Sequence, residues 1–169
     1  KMNSDHHQTD PALADHFRQA MRSVASAVYL ITSRGAEGDV GMTATAACSL
    51  SFDPMSVLIC VNRSASIMRT LDASQRFVLN ILSYEDAAIA NAFGSPAGRD
   101  DRFSGGDWYD LDGMPALKTS LSSISCDIAS GIDFGTHRIF AGKVRHVDNR
   151  PGLSELLYCN GHFRRLGAQ

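Results

Sequence analysis

The chain has 169 residues, enough for one domain whose core needs no disulfide or metal staple. Hydrophobic residues make up 44% and charged residues 20%, the balance of an ordinary globular protein. With 16 Lys+Arg against 18 Asp+Glu and no basic block, neither nucleic acid nor a membrane surface is an expected partner. No apolar run reaches the ~18 residues of a membrane helix and no signal-peptide pattern is present, so a cytoplasmic location is expected. The cysteines, Cys48, Cys60, Cys126 and Cys159, form no C-x-x-C pair. They are expected to be buried, reduced thiols, not zinc ligands or a disulfide framework.

Residues 1–10, polar and containing His6 and His7, are expected to form a loose tail, and residues 11–169 a single domain. Leu13, Phe17, Ala20, Met21 and Val24 then follow a helical spacing, with Asp10 as N-cap and Pro11 at the first helical position. Residues 27–33 and 40–47 read as strands of a hairpin across a Gly-rich, charged turn at 34–39. Residues 56–62, after an Asp53-Pro54 turn, are nearly all apolar and predict a central strand. Residues 64–71 predict a short helix capped by Ser64 or Ser66, and 77–82 another strand. Ser83 caps a helix running to Phe93, which Gly94 ends. Residues 95–111, rich in Gly and charge, predict a long loop, followed by strands at 121–130 and 136–147 and a last one near 156–159. Six or seven strands with three short helices predict a mainly β fold, an antiparallel barrel with peripheral helices.

Three segments carry candidate chemistry. The glycines Gly35, Gly38 and Gly41 are not among them: they open a strand, where a dinucleotide fingerprint opens a helix. The run from Met42 to Ser51 is full of small and hydroxyl side chains. Its hydroxyls either bond their own backbone or leave room for a flat aromatic ligand whose polar edge the main chain reads. Asn62-Arg63-Ser64-Ala65-Ser66 ends an apolar strand at a helix start, as an ordinary cap or as a phosphate site. Gly135-Thr136-His137 opens a long strand, with His137 either packed or functional. His16, His146 and His162 lack metal-ligand spacing, so no metal is expected.

Taken in order, these segments resemble the flavin reductase family with the FMN-binding split barrel, the short-chain reductase component of two-component flavin-dependent monooxygenases. The resemblance rests on Gly41-Met42-Thr43-Ala44, Ser49-Leu50-Ser51, Asp53-Pro54 and Cys60-Val61-Asn62-Arg63-Ser64-Ala65. It continues through residues 77–82, Asp101-Arg102-Phe103 with Trp108, and residues 135–144, from about His16 to Leu166. It implies a Greek-key-like split barrel and a homodimer that transfers hydride from NADH or NADPH to FMN or FAD for a partner monooxygenase. Thr43, Ala44, Thr45, Ser49, Leu50 and Ser51 would then hold the isoalloxazine. Cys60 would belong to the same flavin core, and Asn62, Arg63, Ser64 and Ser66 would hold the ribityl phosphate. His137, supported by Gly135 and Thr136, would position the nicotinamide, and Arg102, Phe103, Tyr158 and Phe163 would form the rim. Two positions depart from the family pattern: Thr136 stands where Asp is usual, and Thr45 where Asn or Ser is frequent. The alternatives are a flavin-dependent reductase of another acceptor, such as the corrinoid cobalt of cob(II)yrinic acid a,c-diamide, and a flavin-binding protein without turnover.

Overall fold

The Ala12 N–H donates to Asp10 Oδ1 at 3.0 Å and Pro11 takes the first helical position, so α1 (Pro11–Arg22) begins where the sequence places it. The structure, a computed structural model, describes residues 10–95 and 99–167; the expected tail, apart from Asp10, lies outside the described residues. None of α1 is buried, and its apolar face of Leu13, Phe17 and Met21 is exposed.

The main sheet has seven strands, and every pairing is antiparallel. In chain order they are β2 (Tyr29–Gly35), β3 (Gly38–Ala44), β4 (Ala47–Phe52), β5 (Met55–Asn62), β6 (Arg76–Ile81), β9 (Ser122–Phe134) and β10 (His137–Asn149). In space the order is β3-β2-β6-β9-β10-β5-β4. The two edge strands, β3 and β4, are thus joined directly by Thr45-Ala46, and that short link forces the sheet to curl until its edges approach without pairing. The result is a split, Greek-key-like barrel. Ile31, Val57, Ile59, Val61, Phe77 and Phe140, drawn from both halves of the sheet, converge in one core, and Ile67, Met68 and Leu71 of and beside α2 (Met68–Ser74) plug it.

A second core lies outside the barrel. There α3 (Ala87–Gly94) packs Ala90 and Phe93 against Val28, Leu30, Leu82 and Leu156. The cap expected at Ser83 belongs to a 3-10 turn, Tyr84–Asp86, that leads into this helix: the buried Asp86 carboxylate accepts from the Ser83 N–H at 2.8 Å and hydroxyl at 2.9 Å, and α3 itself begins only at Ala87. The rest comprises a small sheet of β1 (Ser26–Ala27), β11 (Leu156–Cys159) and β12 (His162–Arg165), and a hairpin of β7 (Trp108–Leu111) and β8 (Met114–Leu117). Buried Asn80 ties that hairpin to the barrel, accepting from the Leu117 N–H at 2.9 Å while donating to the Leu30 carbonyl at 3.0 Å.

Several sequence expectations need correction. The run from 42 to 51 is two strands, because Ala47–Phe52 leaves β3 to pair with β5. The strand at 55–62 has neighbours on both sides but is second from an edge, and only alternate residues are buried. The helix expected at 64–71 begins at Met68, and no side chain caps it; Ser64 gives its N–H and hydroxyl to Asn62 Oδ1 instead, at 2.9 and 2.8 Å. The loop expected at 95–111 contains a helical turn at Arg99–Ser104 and β7. The overlooked β7–β8 hairpin, and the overlooked β12 that pairs with the strand expected at 156–159, close on two-residue turns, Asp112-Gly113 and Asn160-Gly161, in which all four φ angles are positive, between 52 and 82°. Asp-Gly and Asn-Gly are the pairs that such tight hairpins demand. The thiols are not all buried: Cys126 is, whereas Cys48 is exposed on the edge strand.

Candidate functional site

The Thr45-Ala46 corner is where the candidate residues gather. On one side, Thr43, Ala44 and Thr45 face Ala90, Asn91 and Gly94 of α3, with Ser95, Tyr158 and Phe163 completing a cleft of about 360 Å³. No charged side chain lines it, and its walls are small except on the side of Tyr158 and Phe163. The Thr43 hydroxyl donates to the Ala90 carbonyl at 2.7 Å, so it fastens the strand to the helix. Thr45 and Tyr158 also line an adjoining hollow of about 560 Å³, where Arg18, Met21 and Arg22 of α1 meet Asn160 and Gly161. Both volumes fall within the ~300–1,000 Å³ of small-molecule sites.

On the other side of the corner, the Cys60 N–H donates to the Ala46 carbonyl at 2.9 Å. Cys60 pairs with Ile139, and Asn62 with His137, so alternation puts Cys60, Asn62 and His137 on one face of β5 and β10. This face is opposite to the one that buries Ile59 and Val61. Cys48, opposite Leu58, shares it. Burial first, and the nearby Cys48 second, push the Cys60 thiol and the Tyr29 hydroxyl above their ordinary values. Both therefore stay protonated at neutral pH and offer no anionic nucleophile.

The end of this face is braced. The Arg63 N–H donates to the Thr136 carbonyl at 2.9 Å, and its guanidinium lies 3.7 Å from Asp133. Asp133 accepts from Arg138 at 2.5 and 3.2 Å, and that hydrogen bond, then the charges of Arg138 and Arg63, hold its carboxyl below the usual range. Thr136 Oγ1 lies 2.9 Å from His137 Nδ1. Among the described residues no group of three or more His, Cys, Asp or Glu could hold a metal ion, and no helix is long and apolar enough to cross a membrane.

Of the residues singled out in the sequence, Thr43, Ala44, Thr45, Tyr158 and Phe163 meet in the first cleft. Cys60, Asn62, Arg63, Ser64, Gly135, Thr136 and His137 cluster at the far end of the adjoining face. Ser49 and Leu50 are exposed on the edge strand, and Ser51 bonds the Asp53 main chain. Ser66 lies in a different hollow, beside Gly35, Glu37 and Arg69. Phe103 packs on Phe93 and Trp108, with ring centroids 5.0 and 4.7 Å apart, behind the cleft wall. Arg102 donates to the carbonyl of Ser95, a lining residue, and stands over the Phe93 ring. Sequence reasoning missed Asn91, Gly94 and Ser95 at the end of α3 and Arg18 and Arg22 on α1. The helix stop at Gly94 was readable; that it faces β3 was not.

Residues 21–167 match the family described as the flavin reductase like domain. The FMN reductase (NADH) RutF of Acinetobacter baylyi is 34% identical over 148 residues, 87% of this chain and 79% of that protein. The NADH:FAD oxidoreductase SgcE6 of Streptomyces globisporus C-1027, solved in complex with NAD and FAD fragments, superposes with a TM-score of 0.86 at 28% identity. The match covers 94% of this chain and 95% of that one. BorF, the flavin reductase component of a bacterial two-component tryptophan halogenase, superposes at 0.85 with 26% identity, covering 92% of this chain and 99% of that one.

Proposed function

The chain belongs to the flavin reductase like domain family, and from that premise we propose that it transfers hydride from NADH to a flavin, FMN foremost. The observation that carries the reading is the Thr45 corner. A neutral, small-walled cleft there runs into a hollow with two arginines and, through the Ala46–Cys60 hydrogen bond, onto the Asn62–His137 face. A flat ring with a polar edge fits the first part, because Ala44, Thr45 and Gly94 leave main chain accessible and Tyr158 offers an aromatic side.

When bound, the flavin supplies a two-electron acceptor and the nicotinamide a hydride donor; that chemistry is theirs. The chain's own residues bind and orient. The main chain of residues 43–45 and the Asn91 amide hold the ring edge, and Tyr158 and Phe163 flank it. Arg63 meets the phosphorylated tail with a charge, while the Ser64 N–H and hydroxyl, both given to Asn62 Oδ1, hold the loop that carries it. That role does not rest on a helix N-terminus, since α2 starts only at Met68. His137, at the mouth, contacts the nicotinamide nucleotide. Holding two reactants in contact is worth roughly 7–11 kcal/mol in the best cases, so no acid or base is required of the protein.

The reading includes a homodimer. Leu13, Phe17 and Met21 on α1 and Phe52 and Met55 at the β4–β5 turn are exposed apolar side chains with the character of covered surface, and α1 borders the hollow that adjoins the cleft. It also includes an oxygenase-type partner that consumes the reduced flavin, as with the halogenase that BorF serves, and a cytoplasmic setting. Residues 11–169 act as the one catalytic unit.

Thr45→Trp tests the site directly, because it places an indole on the wall common to both hollows. Flavin-dependent oxidation of NADH and quenching of flavin fluorescence are both lost, while Ser66→Trp, in the other hollow, leaves both within about twofold of the parent. Equal activity in Thr45→Trp would reject this location.

A further inference from the structure

Thr136 meets the imidazole that follows it in the chain, Oγ1 to Nδ1 at 2.9 Å. The threonine is itself fixed: its carbonyl accepts from the Arg63 N–H at 2.9 Å, and Gly135 before it takes the left-handed turn, φ 55°, that closes the β9–β10 hairpin. Asn62, across the strand pair from His137, turns its Oδ1 to Ser64, from whose N–H and hydroxyl it accepts two hydrogen bonds. Thr136 therefore holds one ring nitrogen and leaves Nε2 for something else.

A neutral imidazole has one N–H, and the partner of one nitrogen decides which nitrogen carries it. We infer, on the reading that His137 meets the nicotinamide nucleotide, that Thr136 is a positioning residue. Its hydroxyl donates to Nδ1, holds the hydrogen on Nε2, and aims that N–H at an oxygen of the nucleotide. The direction follows from the ligand's chemistry: phosphate and carboxamide oxygens accept, so the free ring nitrogen must donate. The same contact links the ring to the Asn62–Ser64 loop through Arg63, so one short segment orients both ends of the site.

The test is ¹⁵N NMR of the full chain with labelled histidine, at about pH 9 where an ordinary imidazole is neutral, using His137→Ala to assign the resonances. In the parent, His137 shows an acceptor-type Nδ1 and a protonated Nε2. In Thr136→Val the two signals move toward each other as the tautomers mix, and Thr136→Ser restores them. Kinetically, Thr136→Val raises KM for NADH about fivefold, the scale of one lost hydrogen bond, with kcat and flavin affinity within about twofold. An unchanged nitrogen pair in Thr136→Val overturns the role of Thr136, whatever His137→Ala does. An unchanged KM in His137→Ala overturns instead the contact with the nucleotide, and the NMR result still reads the tautomer on its own.

Discussion

His137 sits exposed at the start of a strand, opposite Asn62 and beside a hairpin tip, where a nucleotide can reach it without displacing core. Replacing it with alanine raises KM for NADH by about tenfold, the loss of a hydrogen bond to a charged group, while flavin binding is retained. Steady-state kinetics with flavin titrations check this, and an unaltered KM contradicts it. Asp112 shows a charge with a purely architectural task. At the β7–β8 turn it accepts from Arg76 and Arg145, each at 2.5 Å, and the Arg145 hydrogen bond, then the charges of Arg76, Arg145 and His146, hold its carboxyl below the ordinary range. A carboxyl lowered in the fold stabilises above the unfolded value of about 4 and ceases to as the pH falls through the folded one. Asp112→Asn therefore melts below the parent at neutral pH, and the gap closes in acid below about pH 4; a constant gap across that window contradicts the assignment.

The elements divide by how local their causes are. The cap at Asp10, the cap at Ser83 and the stop at Gly94 were legible because each is decided within one turn of chain. The break at Thr45-Ala46 was not: neither residue is a turn former, and β4 separates from β3 only because β5 offers it a partner. The β7–β8 and β11–β12 hairpins did carry local signals, Asp112-Gly113 and Asn160-Gly161, which the reading of a loop and a tail passed over. Gly142 had no such signal. It keeps a strand-central place because a Cβ there would lie 2.5 Å from the Phe77 ring and 3.1 Å from Cys126 Cβ. Gly142→Ala overpacks the barrel and costs about 1–3 kcal/mol in urea unfolding; a neutral change would mean that the core is looser than described. At α1, Phe17→Asp with Met21→Asp charges a face that has no cover among the described residues. On the proposed homodimer, the expected result is a shift from dimer to monomer in analytical ultracentrifugation; a dimer that survives the pair places the interface elsewhere.

At the scale of the molecule, the proposed site depends on the curl of a sheet whose edge strands are consecutive in the chain. That curl sets residues 43–45 and 158 at one corner and, linked to it by the Ala46–Cys60 hydrogen bond, the face whose far end carries residues 62–64 and 135–137. Their chemical types were readable in sequence, as was their order. What was not readable was that Ser66 faces another hollow, that Phe103 supports the wall from behind, and that α1 contributes two arginines. Such facts depend on how helices lie against the barrel, and no short spacing encodes them. The central claim is that this corner passes hydride from NADH to flavin. It is tested most directly in anaerobic solution, by adding NADH to the protein with FMN and following the flavin's yellow absorbance. The account predicts rapid bleaching, one NADH oxidised per flavin reduced; flavin that stays yellow while bound to the protein would contradict it.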